Sequence, residues 1–286
     1  MVDISVRYAF PDPVLMPTVA AYLELSVSAG DMPVDLLPPD IATIGIPVTG
    51  EWFHGMNRHA LQLVDPDGIF FGNSSHARWG GGTDGTAFFI AFYPLAWPLL
   101  FKTHASLFAN KIVPLSPLFG NAGGDLAKAV KAREDFGGRV AIANALLTEQ
   151  LRSELDAETA MIIRTIGSAL GDPACGSVEQ MAERAGASQS RVARIAKASF
   201  GFAPKLLIRR ARFRRMLHRM DAHSYADWRD YIDAQYVDQS HLIRDFRYFM
   251  GFSPRAYMNL DRPFVMAAFA AFRAMMGAES KQMWQG

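Results

Sequence analysis

Short apolar runs separated by turn residues fill the first 120 residues of the chain. The runs are rich in Ile, Val and Phe, and Pro-Pro-Asp, Pro-Asp-Gly and Gly-Gly-Gly stand between them. This pattern predicts the strands of an antiparallel sandwich or barrel. The predicted strands cover 41–48, 60–64, 68–73 and 86–93, and the segment 17–25 suits either a helix or a strand.

The apolar period changes after residue 120. Apolar residues now recur at i, i+3 and i+4, which predicts helices over 125–133, 139–155 and 157–170. The segment 171–177 follows with Gly, Pro and a Ser placed for a helix N-cap, so we expect a domain boundary there. A last helix, 262–277, is apolar nearly all round and is expected to pack against another part of the protein.

Two segments of the C-terminal third repeat each other at an offset of 50 residues, SQSRVARIAKASFGFAPK and DQSHLIRDFRYFMGFSPR. They occupy 188–205 and 238–255, and both end in Gly-Phe, one further residue and Pro. An internal duplication sets the architecture of this part of the chain. The polar positions that match in register are Gln189 with Gln239, Ser190 with Ser240, and Arg194 with Arg244.

Each repeat predicts an amphipathic helix with a polar outer face, and the second of these is predicted over 239–250, after a short helix over 225–236. In the second helix, Leu242, Phe246 and Phe249 form the inward stripe. Arg can bridge guanine edges and Gln adenine edges in a major groove, while Lys and Arg also meet phosphates. A charged outer face is often only a solvated surface, but this one occurs twice. Because major-groove openings recur about every 34 Å along duplex DNA, a duplicated reading helix has a physical use.

The charge distribution agrees with a nucleic-acid partner. The whole chain carries a formal net charge of +1. Residues 177–258 hold 15 Lys and Arg against 8 Asp and Glu, a net of +7, and the remainder is acidic. A basic segment within a near-neutral chain is typical of nucleic-acid binding.

These motifs resemble the DNA-binding domain of the AraC/XylS family of bacterial transcription regulators. The resemblance covers about 177–258 and is most specific in DQSHLIRDFRYFMGFSPRAY. It implies two helix–turn–helix subdomains joined by a long helix at about 204–219. The family's base-contacting positions fall on Ser190, Ala193 and Arg194 in the first unit, and on Gln239, Ser240, His241, Ile243 and Arg244 in the second. The N-terminal half resembles, more loosely, the cupin-like sensor domains of some of these regulators.

We therefore predict two sets of DNA contacts. Base contacts are assigned to Ser190, Arg191, Arg194, Gln239, Ser240, His241 and Arg244. Phosphate contacts, which set register without choosing sequence, are assigned to Lys197, Arg209, Arg212 and Arg247.

The N-terminal half offers weaker candidates for chemistry. His54, His59, His76 and His104 lie there with Glu51, but no His-x-His pair is followed by Glu, so no metal, cofactor or enzyme activity is expected. The segment 76–85 is either a mobile loop over a ligand or a hairpin connection. Six aromatic residues either line an apolar pocket or form ordinary core: Trp52, Phe53, Phe70, Phe71, Trp79 and Trp97.

Composition also bears on location. The lone Cys175 excludes an internal disulfide and fits a reducing cytosol. The apolar run 88–101 contains two prolines and is shorter than the ~20 residues of a membrane span. The first residues do not have the pattern of an export signal. We therefore expect a cytoplasmic protein with no membrane partner.

The predicted fold class is α+β and multidomain. Residues 1–120 form a β-rich, cupin-like sensor or dimerisation domain, 121–175 a helical connector, 176–258 the all-α DNA-binding domain, and 259–286 an apolar helix and tail. The expected function is sequence-specific transcription regulation under a small-molecule effector, with duplex DNA as partner, a homodimer as assembly and RNA polymerase as a further candidate partner. Two alternatives stay open: a cupin-type enzyme fused to a DNA-binding module, and an effector-independent regulator whose N-terminal domain binds a protein. Effector, operator and the choice between activation and repression are not specified.

Overall fold

A computed structural model describes residues 3–28, 30, 32–151, 154–222, 236 and 238–283. The β-rich N-terminal part is followed by helices, so the predicted fold class is confirmed. Within these residues, no helix is both long and apolar enough to cross a membrane.

Within the described part of the N-terminal region, ten strands form two antiparallel sheets. Segment 17–25 proves to be a strand, and 76–85 contains a strand rather than a loop. Along the first sheet lie β1 (Asp3–Ala9), β2 (Val19–Ser28), β9 (Gly85–Phe92), β4 (Thr43–Thr49), β7 (Ile69–Phe71) and β10 (Ile112–Pro114). Along the second lie β3 (Val34–Leu37), β8 (Arg78–Gly82), β5 (Trp52–Gly55) and β6 (Gln62–Leu63).

The larger sheet has two apolar faces because apolar residues occupy both sets of alternating positions along its strands. On β9, Phe88, Ile90 and Phe92 are buried in a core with the following helices. The alternate residues Ala87, Phe89 and Ala91 turn to the other face, toward the second sheet and a cavity. The period of two along a strand thus separates a packed side from a hollow side.

Three helices cover the packed side of the large sheet: α1 (Ser116–Phe119), α2 (Asn121–Lys131) and α3 (Phe136–Gln150). A buried ion pair fixes α3 to β2, because Arg139 donates to Glu24 at 2.6 Å, and Arg7 also binds this carboxylate. The hydroxyl of Tyr22 donates to Asn144 at 2.6 Å. These bonds hold α3 against the β-rich part, and α2 joins the same core through Leu126, Ala127 and Val130.

The C-terminal part is helical. Its elements are α4 (Ala157–Gly171), α5 (Val178–Arg184), α6 (Gln189–Phe200), α7 (Pro204–Ala222), α8 (Gln239–Met250), α9 (Pro254–Met258) and α10 (Pro263–Met283). The short helix that the sequence predicts over 225–236 lies, apart from Tyr236, outside the described residues.

The duplicated helices α6 and α8 begin and end by the same local chemistry. Ser188 caps α6 by accepting from the amide of Arg191, and Asp238 caps α8 by accepting from the amide of His241. Gly201 and Gly251 end the helices with φ of 83° and 75°, a conformation that glycine adopts without strain.

Candidate nucleic-acid interface and ligand cavity

The helices α6 and α8, here called the reading helices, bury equivalent positions. Val192, Ile195 and Ala196 of α6 are buried, as are Leu242, Asp245 and Phe246 of α8. The five predicted base-contact residues that are exposed are Ser190, Arg194, Gln239, Ser240 and Arg244. The duplicated chemistry therefore faces outward from both helices, as a DNA-reading surface requires.

Two predicted base-contact residues are engaged within the protein. The guanidinium of Arg191 pairs with Glu158 on α4. The ring of His241 has its Nε2 atom 3.0 Å from a guanidinium nitrogen of Arg212 and packs edge-on against Tyr236 at 5.2 Å. Both side chains are half-buried, and base contact would require them to exchange these partners.

A buried carboxylate joins α7 to the second reading helix. Asp245 has no exposed side-chain surface, and it accepts from Arg209 at 2.6 Å and from Arg212 at 3.0 Å. Asp245 has no role among the sequence predictions, although a charged residue at an inward position of α8 is a signal of a buried ion pair. The equivalent position in α6 is the apolar Ile195.

The four predicted phosphate contacts therefore occupy two settings. Lys197 and Arg247 are exposed on the reading helices. Arg209 and Arg212 lie at the α7–α8 junction with Asp245, and Arg209 also stacks on Tyr248 at 4.3 Å. Phosphate contact stays a prediction for all four residues.

The second reading helix also contacts the β-rich part. The amide of Ala77 donates to the carbonyl of Phe249 at 2.7 Å. The neighbouring rings of His76 and Tyr248 lie 4.9 Å apart. From α7, Arg210 donates to the carbonyl of Ser74 at 2.7 Å. The segment just before β8 thus holds the end of α8 in place.

A cavity of about 730 Å³ lies between the two sheets and the helices α7 and α10. This volume falls within the roughly 300–1,000 Å³ of small-molecule sites. Most of its wall is apolar, and Trp52, Phe53 and Phe71 belong to it. The other aromatic candidates, Phe70, Trp79 and Trp97, belong to packed clusters instead.

The strand register gives the cavity a polar end and an apolar end. On the second sheet, Arg78 of β8 lies opposite Leu37, and Gly82 lies opposite Trp52. A Cβ atom at Gly82 would stand 2.7 Å from the Trp52 ring, so the indole occupies space that only glycine leaves free. Because Trp52 of β5 lies beside Gly82, it is displaced from Arg78 by four residues in the direction of β8, or about 13 Å.

Arg78 is the unusual charge of this cavity. Its guanidinium lies 4.0 Å from the centre of the Phe71 ring, and burial lowers its pKa to about 10. Among the described residues, its side chain makes no hydrogen bond or ion pair, and its buried Nε has no partner. The nearby carboxylate of Asp40 is paired with Arg214 at 3.2 Å. Arg78 is thus a cation that no carboxylate among the described residues contacts, placed on the wall of an apolar cavity, and the charge of Asp40 offsets only part of the effect of burial on its pKa.

The other titratable groups of the cavity do not form a metal site. Burial, followed by the charge of Arg78, lowers the pKa of His54, and its Nδ1 atom has no partner in the described structure. No group of three or more His, Cys, Asp or Glu side chains within the described residues is placed to hold a metal ion.

The last helix, α10, supplies one wall of the cavity. Phe264, Ala268 and Phe272 face it from successive turns, and Phe272 packs edge-on against Tyr8 of β1 at 5.9 Å. Asp35 of β3 holds the start of this helix, because its carboxylate accepts from the amide of Val265 at 2.9 Å. The sequence predicts that α10 packs, and the structure shows what it packs against.

Burial raises the pKa of Asp35 from 3.8 to about 6, against hydrogen bonds from backbone amides that lower it. The folded state thus favours the protonated carboxyl, so the contribution of Asp35 to stability falls as pH rises from about 4 to about 6. We expect Asp35→Asn to lose this dependence. Urea unfolding across this pH range measures it, and a variant that keeps the same slope as the wild type would contradict the assignment.

No family model matches the chain, and no curated protein matches it. Among solved structures, ToxT from Vibrio cholerae is 11% identical with a TM-score of 0.44, over 90% of this chain and 97% of that chain. ToxT bound to an unsaturated fatty acid is 10% identical with a TM-score of 0.42, over 90% and 94%. The AraC-like transcriptional activator CuxR is 18% identical with a TM-score of 0.32, over 78% and 88%. Each TM-score is below 0.5, and the function proposed below therefore rests on the residues of this chain.

The described residues have the organisation that the AraC/XylS resemblance implies. A β-rich part precedes the helices, α5 and α6 form one helix–turn–helix unit, and the long α7 leads toward the second reading helix. Arg78 and α10, which line the cavity, lie outside the motifs that carry the resemblance.

Proposed function

We propose that the protein is a transcription regulator that reads duplex DNA with two helices and responds to a small apolar anion. The observation that carries the DNA-binding part is the matched exposure of α6 and α8. Arg194 and Arg244 stand outward at equivalent positions of helices that both begin at a side-chain cap and that bury equivalent positions. A solvated surface does not require the same residues at equivalent positions of two helices, whereas contact with two successive grooves of a DNA duplex does.

Selection of bound duplexes from a random pool, at a fixed salt concentration, tests this part of the proposal. We expect two short sequence boxes about one helical turn apart, one for each reading helix. Enrichment without any motif would mean that the basic segment binds DNA without reading its sequence.

Arg244→Ala is expected to weaken binding to the selected sequence by roughly 1–3 kcal/mol and to relax the preference at one base pair. The reason is that an exposed Arg near the start of a reading helix can bridge two acceptors of a guanine. Competition binding with point-substituted duplexes measures both effects.

Arg247→Ala is the matched control on the same helix. It is expected to weaken binding to all sequences alike, and to reduce the slope of affinity with salt by about one counterion. If Arg244→Ala also acted equally on selected and random duplexes, Arg244 would be a phosphate contact and not a base contact.

The effector part of the proposal rests on two consecutive residues. Ala77 holds the end of the second reading helix through the carbonyl of Phe249, and the next residue, Arg78, presents its charge on the cavity wall. Helix α7 also contributes Arg214 and Leu217 to the cavity wall. A ligand that contacts Arg78 or α7 therefore touches the same backbone that positions α8.

The chemistry of the cavity indicates the ligand class. An apolar wall accepts an apolar body, and an Arg without an anionic partner favours one carboxylate or similar group. A cytoplasmic location is part of this proposal and is supported by Cys175, which is buried and free. Titration of the full chain with straight-chain carboxylates, followed by thermal unfolding and by affinity for the selected duplex, tests the effector part. Binding that leaves DNA affinity unchanged would contradict effector control.

A further inference from the structure

We infer that Phe264, on the C-terminal helix α10, sets the length of the ligand by closing the end of the cavity opposite Arg78. This inference rests on the effector site proposed above and adds a residue that determines specificity. It assigns to α10, which lies beyond the duplicated DNA-binding units, a part in ligand choice.

The geometry of the closed end carries the inference. Phe264 is buried, and its ring centre lies 6.4 Å from that of Trp52. Trp52 is paired with Gly82, four residues along β8 from Arg78. Phe264 also belongs to the packed apolar cluster that contains Leu25, Val64 and Ala87. The cavity therefore ends in apolar side chains at the level of Trp52 and Phe264.

The opposite end of the cavity is the one that meets solvent. Its exposed apolar residues include Phe10, Tyr93 and Met276, which also line the cavity. Arg78 contacts Phe71 of β7. Across the first sheet, Phe71 pairs with Thr43 of β4, and Thr43 pairs with Ala91 of β9, so Arg78 lies at the same end of the cavity as Ala91. Tyr93 follows Ala91 by two residues, so Arg78 and the open end lie close together. An amphiphilic anion accordingly binds with its charge near the opening and its apolar end against Phe264.

The backbone of α10 at Phe264 is held in place, so substitutions on this helix are expected to change the depth of the cavity without moving the helix. The carboxylate of Asp35 binds the amide of Val265, the residue after Phe264, and so holds this turn against β3. One turn later Ala268 also lines the cavity with a small side chain. A smaller residue at 264 would deepen the cavity, and a larger residue at 268 would narrow it.

The test measures the preferred length of straight-chain carboxylic acids, from hexanoate to octadecanoate, by calorimetry on the full-length protein. Phe264→Ala is expected to shift the best-bound acid to a longer chain, and Ala268→Leu to a shorter one. Their matched controls lie on the exposed side of the same helix and are Met266→Ala and Ala270→Leu. Both controls are expected to keep the wild-type length preference.

The outcomes separate this inference from the function on which it rests. If Phe264→Ala unfolds, a shift with Ala268→Leu alone still supports the inference, since that variant adds volume and deletes no core contact. If the acids bind the wild type but both variants keep its preferred length, the inference is overturned and the effector site stands. If no acid binds the wild type, the effector class and this inference fail together, whereas the selection of DNA by the reading helices is unaffected.

Discussion

Asp245→Ala is expected to remove about 3–5 kcal/mol from the free energy of unfolding, because it deletes the fully buried carboxylate that binds two guanidinium groups. Asp245 is fully buried and binds both Arg209 and Arg212. Their side chains are 33% and 14% exposed, so most of both side chains is held away from solvent. The second reading helix would lose its charged link to α7, and we expect sequence-specific DNA binding to fall with stability. Urea unfolding and binding to the selected duplex measure the two losses.

A double-mutant cycle of Asp245→Ala with Arg212→Ala distinguishes this ion cluster from simple loss of packing. Residues within one buried network show coupling of about 0.5–3 kcal/mol, so the double variant is expected to lose less stability than the sum of the singles. Additive losses would mean that Arg212 and Asp245 stabilise the fold independently. The equivalent residue of α6, Ile195, packs among apolar side chains, so the two reading helices are held by different means.

The reading helices were predictable because their determinants are local. Cap residues, the apolar stripe and the Gly ending lie within one segment, and the predicted helix 239–250 agrees with the observed Gln239–Met250. The β-rich class was predictable for the same reason, since alternation and turn residues are read within a few positions. Sequence alone also placed Arg244 and Arg194 on outer faces, which the structure confirms.

The cavity and its charge depended on contacts between distant residues. The Arg78 side chain faces the cavity only because β8 pairs with β3 on one side and β5 on the other. In the sequence this strand reads as a Gly-rich loop, since glycine is rare within strands except where another group approaches closely. Leu37 and Trp52 are those groups. No sequence pattern within 76–85 predicts the contacts with Leu37 and Trp52.

The positions of Arg209 and Arg212 show the same limit in the DNA-binding part. Basic residues on a long helix of a DNA-binding protein favour phosphate contacts, and sequence gives no sign that a carboxylate 33 to 36 residues later binds both. The link becomes visible only when α7 and α8 pack. Phosphate contact and the pairing with Asp245 make competing demands on these side chains, so DNA binding and the geometry of α8 are physically connected.

Arg78→Met is expected to produce two effects of opposite sign, a more stable ligand-free protein and a loss of anion binding. Burial lowers the pKa of Arg78 from 12.5 to about 10, so the guanidinium stays charged at neutral pH but keeping that charge buried costs folding free energy. Removing the charge should therefore raise the free energy of unfolding by about 1–3 kcal/mol. Binding of an apolar carboxylate should weaken by about 2–5 kcal/mol, the usual result of deleting one partner of a buried charge pair. Thermal unfolding without ligand and calorimetry with ligand measure the two effects.

Arg214→Met is the matched control, because Arg214 also lines the cavity but is already paired with Asp40. Its removal breaks an ion pair, so no gain in stability is expected. If Arg78→Met destabilised the ligand-free protein, its stacking on Phe71 would outweigh its desolvation, and Arg78 would be a structural residue. A gain in stability together with a loss of affinity has a different meaning. A buried charge that lowers stability is retained where it serves binding. That result would mean that Arg78 is a binding residue whose charge is compensated only when an anion is bound.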